Sequence, residues 1–597
     1  MNTPNFLLPD NRFYGNMMNH INILYGDSMF YSKDHKTGYL FDHGPFHWLG
    51  PKRTKLIEQS WALIFRDTIL PNLPVHTLRK YYHSSMGAPT KELAAMMGVM
   101  IIQHMHDLTD EETVRQYAFN IQWHYALNIA DADAYISLKT LWNMRSLLTA
   151  NDLYVPLFEN ISDALAKVFS VDPSLQRIDS VHIFSNMRYL GRIGLFAHTI
   201  KKFLINLKRH QRILFDSLDK DLTNRYLSKK EASVFSMVKP SESAKTLHLL
   251  GNDLLYLVEH FHDNATIVSM TGYGLLLRLL KEQCIVEDEK ATVKPNKDVP
   301  SDSLQNPSDP DATYDGHKGK GYQVQIMETH GSEEQPPLIT YVAVEQAHIS
   351  DASALIPAIE DTEKRNLKPG EVLADSLYGG DENIKKANAL GVDVVSPVMG
   401  RESTKKISLT DFALSGNTVT ACPKGHAPIF HKRKKDRYTV GFHPDVCNSC
   451  PQKAECPVRP GKNGHYLRYD EKAIRIAQRR HYEKTPDFRE KYRFRSGIEA
   501  TISYCDRKTG LKHLRVRGLP AVSFCATLKA VAVNILRAAA FMKRRDKTSH
   551  TMKKICSCFL GAAYIGITGF FSVMRRTIVK DFCQTAAGPA LLLQEAA

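Results

Sequence analysis

Residues 371–397, EVLADSLYGGDENIKKANALGVDVVSP, pass from one periodicity to another and back within a single short stretch. EVLAD (371–375) is an apolar run that reads as a strand, and Gly379 and Gly380 then turn the chain. DENIKKANAL carries helical spacing and is stopped by Gly391, after which VDVVSP reads as a second strand. Together they make a strand–helix–strand unit and put the chain in the α/β class. Asp375 ends the first strand where the chain turns toward its helix. Ligands of open α/β sheets gather outside the carboxyl ends of strands, so a carboxylate there is a candidate functional group. A turn-forming Asp is the other reading of the same position.

Upstream, GYQVQIMET and LITYVAVEQ are strands separated by the polar GSEEQPP turn, which makes a hairpin. Together with the strand–helix–strand unit they define a core over 316–400. Residues 286–315 are polar, proline-punctuated and aperiodic, and the expectation is a linker or disordered loop. Residues 201–285 are Leu- and Lys-rich with helical spacing, an insertion after the strand LQRIDSVHI (175–183) in segment 166–200. From Lys55 to Leu148 the pattern is helical, including KELAAMMGVMIIQHM and a capping-box signature at Thr109 and Glu112. An all-helical N-terminal domain over 1–165 follows, either a DNA-reading helix-turn-helix or a scaffold and dimerisation module. Downstream come a basic, cysteine-bearing insertion at 401–480, helices over 481–545 and a tail at 546–597.

The 597 residues exceed one ordinary core, and 43% apolar content is enough to fill several. A net charge of +15 and pI of about 9.1 favour a polyanionic partner such as nucleic acid. The first twenty residues lack the basic start and apolar run of a secretory signal, so a cytoplasmic setting is expected. Cys556–Met574 is free of charge and long enough to span a bilayer, but Gly561, Gly566 and Gly569 interrupt it. The reading without a membrane is preferred.

Two more carboxylates stand out. In LQRIDSVHI, alternation places Asp179 on one face with Leu175, Val181 and Ile183. An ionised acid among apolar neighbours calls for a positive partner: a metal ion, an Arg, or simply a strand end. Tyr492, Arg495 and Glu499 are spaced by three and then four residues, which puts all three on one helical stripe. Such a stripe could hold a phosphate beside a metal, or it could be an exposed helix with an Arg495–Glu499 ion pair.

These residues resemble the DDE transposases of bacterial insertion sequences. The resemblance rests on DSVHIFSN around Asp179, HKGKGYQVQIMET, VLADSLYGGDEN around Asp375, and Tyr492, Arg495 and Glu499 at their spacing. It implies a ribonuclease-H-like mixed sheet with Asp179 on the first strand, Asp375 at the end of the fourth and Glu499 on a following helix. It also implies a branch with a four-cysteine insertion before the glutamate helix. The implied activity binds an element's terminal inverted repeats, cleaves DNA strands and joins the 3′-hydroxyls to target DNA. In-line phosphodiester transfer of this kind uses Mg²⁺ or Mn²⁺ held by hard carboxylate oxygens. Work on two DNA ends implies a homodimer or higher oligomer. The family's Lys seven residues after the glutamate is Asp506 here, and Arg507 and Lys508 are the nearest bases.

Cys422, Cys447, Cys450 and Cys456 have spacing that suits structural Zn²⁺, with reduced, unmetallated thiols as the alternative. Between them Lys432, Arg433, Lys434 and Lys435 form a basic run beside Tyr438, either phosphate-binding or merely solvated. A non-catalytic zinc-containing DNA-binding protein and an inactive transposase copy are the rival readings.

Overall fold

The computed structural model describes residues 46–83, 90–227, 238–400 and 406–545. The N-terminal twenty residues, the tail and the segment Cys556–Met574 lie outside the described residues.

A mixed sheet runs through the middle of the fold. Its strands are β1 (Leu175–Phe184), β4 (Thr313–Asp315), β5 (Gly319–Thr329), β6 (Ile339–Gln346), β7 (Glu371–Leu373) and β8 (Asp393–Val395), while β2 (Cys284–Glu287) and β3 (Lys290–Val293) form a separate hairpin. β5 pairs antiparallel with β1, and its other edge carries β4 and then β6. β1, β7 and β8 are mutually parallel. Between β7 and β8 runs the helix Asp381–Ala389, and Gly391 with φ +74 ends the turn that follows it. A backbone in the left-handed region favours a residue without a Cβ.

The alternation of β1 serves both faces of the sheet. Val181 and Ile183, with Val324 and Ile326 of β5, face a core built by the N-terminal helices and the C-terminal helix Leu519–Arg545. Ile178 and Met327 face the opposite core, formed with the helices Leu355–Lys364 and Asp381–Ala389. The N-terminal helices therefore share one core with a sheet face. Leu93–Met105 lies buried along its whole length within that core, which is why its apolar residues go all the way round it. Thr109 and Glu112 make the capping box of Asp110–Phe119.

Leu519–Arg545 is long and apolar enough to cross a membrane by composition, but most of it is packed inside the protein. Its polar residues have partners: Lys529 Nζ donates to Asp107 Oδ1 at 2.8 Å, and Asn534 is hydrogen-bonded to β6.

Residues 286–315 correct the expectation of a linker or disordered loop. They form part of the β2–β3 hairpin and then a strap in which Ser303, Asn306, Asp309 and Thr313 are buried. Asp309 accepts from Tyr322 O–H at 2.5 Å and Gly518 N–H at 3.0 Å, and Asn306 Nδ2 donates to the Arg188 carbonyl at 2.8 Å. The low apolar content is offset by directed hydrogen bonds, which composition does not reveal. The strap closes over the helices Arg192–His210, Ser243–Phe261 and Thr271–Gln283, whose Leu and Phe residues make a core of their own.

The cysteine-bearing region contains the hairpin β9 (Ala413–Ser415) and β10 (Thr418–Ala421). Beside it stands a four-stranded antiparallel sheet of β11 (Phe430–Lys434), β12 (Arg437–Phe442), β13 (Arg459–Gly461) and β14 (Gly464–Asp470). The helix Glu471–Glu483 then returns to the central sheet, where Arg475 grips Asp381 at 2.8 and 2.7 Å.

Candidate active site

Asp179 and Asp375 are brought side by side by strand register. β1 and β7 pair in parallel as far as Arg177 and Leu373, and each acid stands two residues beyond that pair. Asp375 therefore sits in the loop after β7, where its Oδ1 accepts the Leu377 N–H at 2.8 Å. That loop is firmly held. Tyr378 O–H donates to Gln325 Oε1 at 2.6 Å, and Arg479 Nη1 donates to the Gly379 carbonyl at 2.7 Å. A Cβ on Gly379 would meet Ser396 Oγ at 2.0 Å, so only glycine allows this close passage.

Glu499 enters from the other side of the chain, in the first turn of the helix Gly497–Thr509. The single stripe expected for Tyr492, Arg495 and Glu499 is interrupted: Tyr492 ends the helix Pro486–Tyr492, and a 3₁₀ turn, Arg493–Ser496, carries Arg495. The tighter turn still leaves the three groups together. Arg495 Nη2 donates to Asp179 Oδ2 at 2.7 Å and Nη1 donates to Glu499 Oε1 at 2.9 Å. Tyr492 stacks on Phe488 at 5.2 Å, within electrostatic reach of Arg495, Asp375 and Asp179.

The two bridged acids differ in solvation. The Glu499 side chain is 65% exposed, whereas that of Asp179 is 13% exposed. Burial pushes the Asp179 carboxyl up to about 6; Arg495 opposes the shift, and the nearby charges of Asp375 and Asp351 add to it. Arg495 Nε is also buried and has no hydrogen-bond partner among the described residues. The site thus holds a desolvated acid that a further cation would stabilise and a guanidinium N–H that an anionic oxygen would satisfy.

Other members of this neighbourhood have weaker signals in the sequence. Asp351 is buried after β6 and accepts from Lys318 Nζ at 3.0 Å and Gln325 Nε2 at 3.1 Å. Lys318 also donates to Ser180 Oγ at 3.0 Å. Lys318 falls within HKGKGYQVQIMET, but Asp351 lies in a loop with no local pattern to mark it.

Arg507 and Lys508 lie exposed in the last turn of the Glu499 helix. Asp506 has a local task, accepting the Lys512 N–H at 3.0 Å. Lys432, Arg433, Lys434 and Lys435 are exposed on the β11–β12 hairpin, where Arg433 pairs with Glu471 at 3.0 Å.

Cys422, Cys447, Cys450 and Cys456 are free thiols lining one pocket with His426 and His465. Burial raises the Cys447 thiol, and the other three cysteines add to the effect. Among the described residues, however, no group of three or more His, Cys, Asp or Glu side chains is gathered as metal ligands are, and this holds for the four cysteines and for Asp179, Asp375 and Glu499 alike. The expected zinc site has no support in this arrangement. The donor chemistry of Asp179, Asp375 and Glu499 suits a hard divalent ion, and Arg495 neutralises two of those acids in its place.

The family model described as Transposase DDE domain matches residues 421–539, a span that contains Glu499, while Asp179 and Asp375 lie upstream of it. A second, described as Transposase domain (DUF772), matches residues 55–147 in the N-terminal helices. No curated protein matches the chain. Models of transposase domains thus match the chain both in its N-terminal helices and in the segment that carries Glu499.

Proposed function

We propose that the protein binds the terminal inverted repeats of its element and catalyses metal-dependent DNA strand cleavage and strand transfer, with Asp179, Asp375 and Glu499 as the catalytic acids. The observation that carries this is the Arg495 bridge, which draws Asp179 and Glu499 together while Asp375, in the loop after β7, lies within electrostatic reach of Asp179. The strand order supports a ribonuclease-H-like core. Taking β1, β5, β6, β7 and β8 as first to fifth, their spatial order is third, second, first, fourth, fifth, with only the second strand antiparallel to its neighbours.

Mg²⁺ or Mn²⁺ is the cofactor in this reading, and when bound it would activate the attacking oxygen and stabilise the leaving one. The chain's own groups do the rest. Asp179 presents a fixed oxygen on the sheet and Asp375 one in the hydrogen-bonded loop after β7, while Glu499 presents a solvent-facing one. Arg495, with its Nε unpaired, is placed to take a phosphate oxygen, and Tyr492 borders the same space. The exposed bases Lys432, Arg433, Lys434, Lys435, Arg507 and Lys508 provide contacts to the DNA backbone. Two element ends must be held at once, so the working form contains at least two copies, in the cytoplasm where the DNA is accessible.

The deciding experiment is nicking of a supercoiled plasmid bearing the element's ends. Wild-type protein should nick only with Mg²⁺ or Mn²⁺, and Asp179→Ala, Asp375→Ala and Glu499→Ala should each bind the DNA without cutting it. Nicking by Asp179→Ala at the wild-type rate would remove the assignment.

A further inference from the structure

Arg177 stands two residues before Asp179 on the same face of β1. Its Nε donates to Glu328 Oε1 at 2.7 Å, and Nη1 donates to the carbonyl of Phe494 at 2.8 Å. Glu328 is its register partner on β5 and has no exposed surface. The carboxylate of Glu328 also accepts from Arg537 Nη1 at 2.7 Å and from Thr501 Oγ1 at 2.7 and 2.8 Å. Arg537, from the C-terminal helix, contacts Thr501 as well.

These bonds connect the elements that would carry the triad. Phe494 directly precedes Arg495, and Thr501 is two residues beyond Glu499 on its helix. A single buried carboxylate with two guanidiniums therefore ties the Asp179 strand to the 3₁₀ turn of Arg495 and to the Glu499 helix. Gly497 adds an independent observation: a Cβ there would meet Arg177 Nη1 at 2.0 Å, so the helix begins with a residue that leaves room for the guanidinium. These groups are hydrogen-bonded to one another and to the Phe494 carbonyl.

We infer that Arg177 and Glu328 are positioning residues that set the Glu499 helix against Asp179, acting through Phe494, Thr501 and the gap at Gly497. The inference rests on the proposed catalytic role of Asp179 and Glu499. Displacements of about 1 Å at a reacting centre cost on the order of 10²-fold in rate, so a linkage of this kind is felt in catalysis before it is felt in DNA affinity.

The test uses full-length protein carrying Arg177→Lys, which keeps the charge but loses the fork, or Gly497→Ala, which displaces the guanidinium and removes no charge. Both are assayed for plasmid nicking across a Mg²⁺ titration, for DNA affinity and for thermal unfolding, beside Asp179→Ala. The expected result is nicking reduced about 10- to 100-fold, with half-saturating Mg²⁺ raised several-fold and DNA affinity within about twofold of wild type. Wild-type nicking with wild-type Mg²⁺ dependence in both variants, while Asp179→Ala is inactive, overturns the positioning role alone. Full nicking by Asp179→Ala overturns the triad and this inference together. Failure of both variants to fold overturns it in favour of a purely structural network.

Discussion

Arg495 Nη2 lies 2.7 Å from Asp179 Oδ2, a contact that spans 316 residues of chain. The same guanidinium holds Glu499, four residues on, so one cation bridges two of the three acids of the proposed site. In the proposed reaction Asp179 and Glu499 would hold a divalent ion, and Arg495, no longer needed to balance them, would be available to a phosphate oxygen.

Arg495 should accordingly matter for both DNA and metal. Arg495→Ala removes the nearest positive charge from Asp179, and Arg495→Lys restores charge without bidentate geometry. Salt titration of DNA binding should show the Ala variant losing about one unit of log–log slope, the value for one phosphate contact. The Lys variant should recover that slope yet cleave well below wild type. An unchanged slope in Arg495→Ala would mean that Arg495 serves only the acids.

The raised Asp179 carboxyl makes a prediction about stability. A group whose folded value lies above its unfolded one contributes stability at low pH that disappears as pH rises through the folded value, here about 6. At pH 8 the ionised Asp179 therefore costs the metal-free protein roughly 3 kcal/mol, at about 1.4 kcal/mol per unit. Asp179→Asn should raise the denaturation midpoint at pH 8, and the gain should shrink through pH 6 and vanish below about pH 4. Added Mg²⁺ should stabilise wild type more at pH 8 than at pH 5, and should not do so for Asp179→Asn.

Local features of this fold were legible because their causes are local. The alternation in LQRIDSVHI, the switch of period in 371–397 and the Thr109–Glu112 box each follow from a few neighbouring residues. The candidate site was legible as three acids in suggestive contexts, but the Arg495 bridge between Asp179 and Glu499 was not. Asp179 and Asp375 become neighbours through β1–β7 register, and the Arg177–Glu328 pair through β1–β5 register, both long-range facts. The strap within 286–315 leaves no hydrophobic pattern in the sequence, because hydrogen bonds of a few buried polar residues such as Asn306 and Asp309 anchor it. Arg495 looked like a partner for Glu499 alone, since helical spacing reports i,i+4 neighbours and nothing across a sheet.

The β11–β12 hairpin separates its bases by how free they are. Arg433 is committed to Glu471 and lies over the Tyr438 ring at 5.3 Å, whereas Lys432, Lys434 and Lys435 are exposed. If the hairpin follows DNA backbone, Lys432→Ala and Lys434→Ala should each weaken binding to any sequence and lower the salt slope by about one. Arg433→Ala should weaken it less, since its ion pair already screens the charge. Competition with unrelated duplex DNA checks that the loss is independent of sequence.

Asn534 offers a prediction that depends on the fold alone. It is fully buried in the C-terminal helix, where Oδ1 accepts the Ile339 N–H at 2.7 Å and Nδ2 donates to the Ile339 carbonyl at 2.8 Å. β6 is paired with β5 on one side, and at its first residue this amide serves as the missing neighbour on the other. Asn534→Leu fills similar space but leaves a buried N–H and C=O without partners, at roughly 1–3 kcal/mol for each. The variant should show a lower urea midpoint with little change in slope, which would mark a loss of native stability without a change in the surface exposed on unfolding. Asn534→Asp, able to accept from Ile339 N–H but not to donate to its carbonyl, should also be destabilised. A wild-type midpoint in Asn534→Leu would show that the C-terminal helix is held to the sheet by its apolar residues alone.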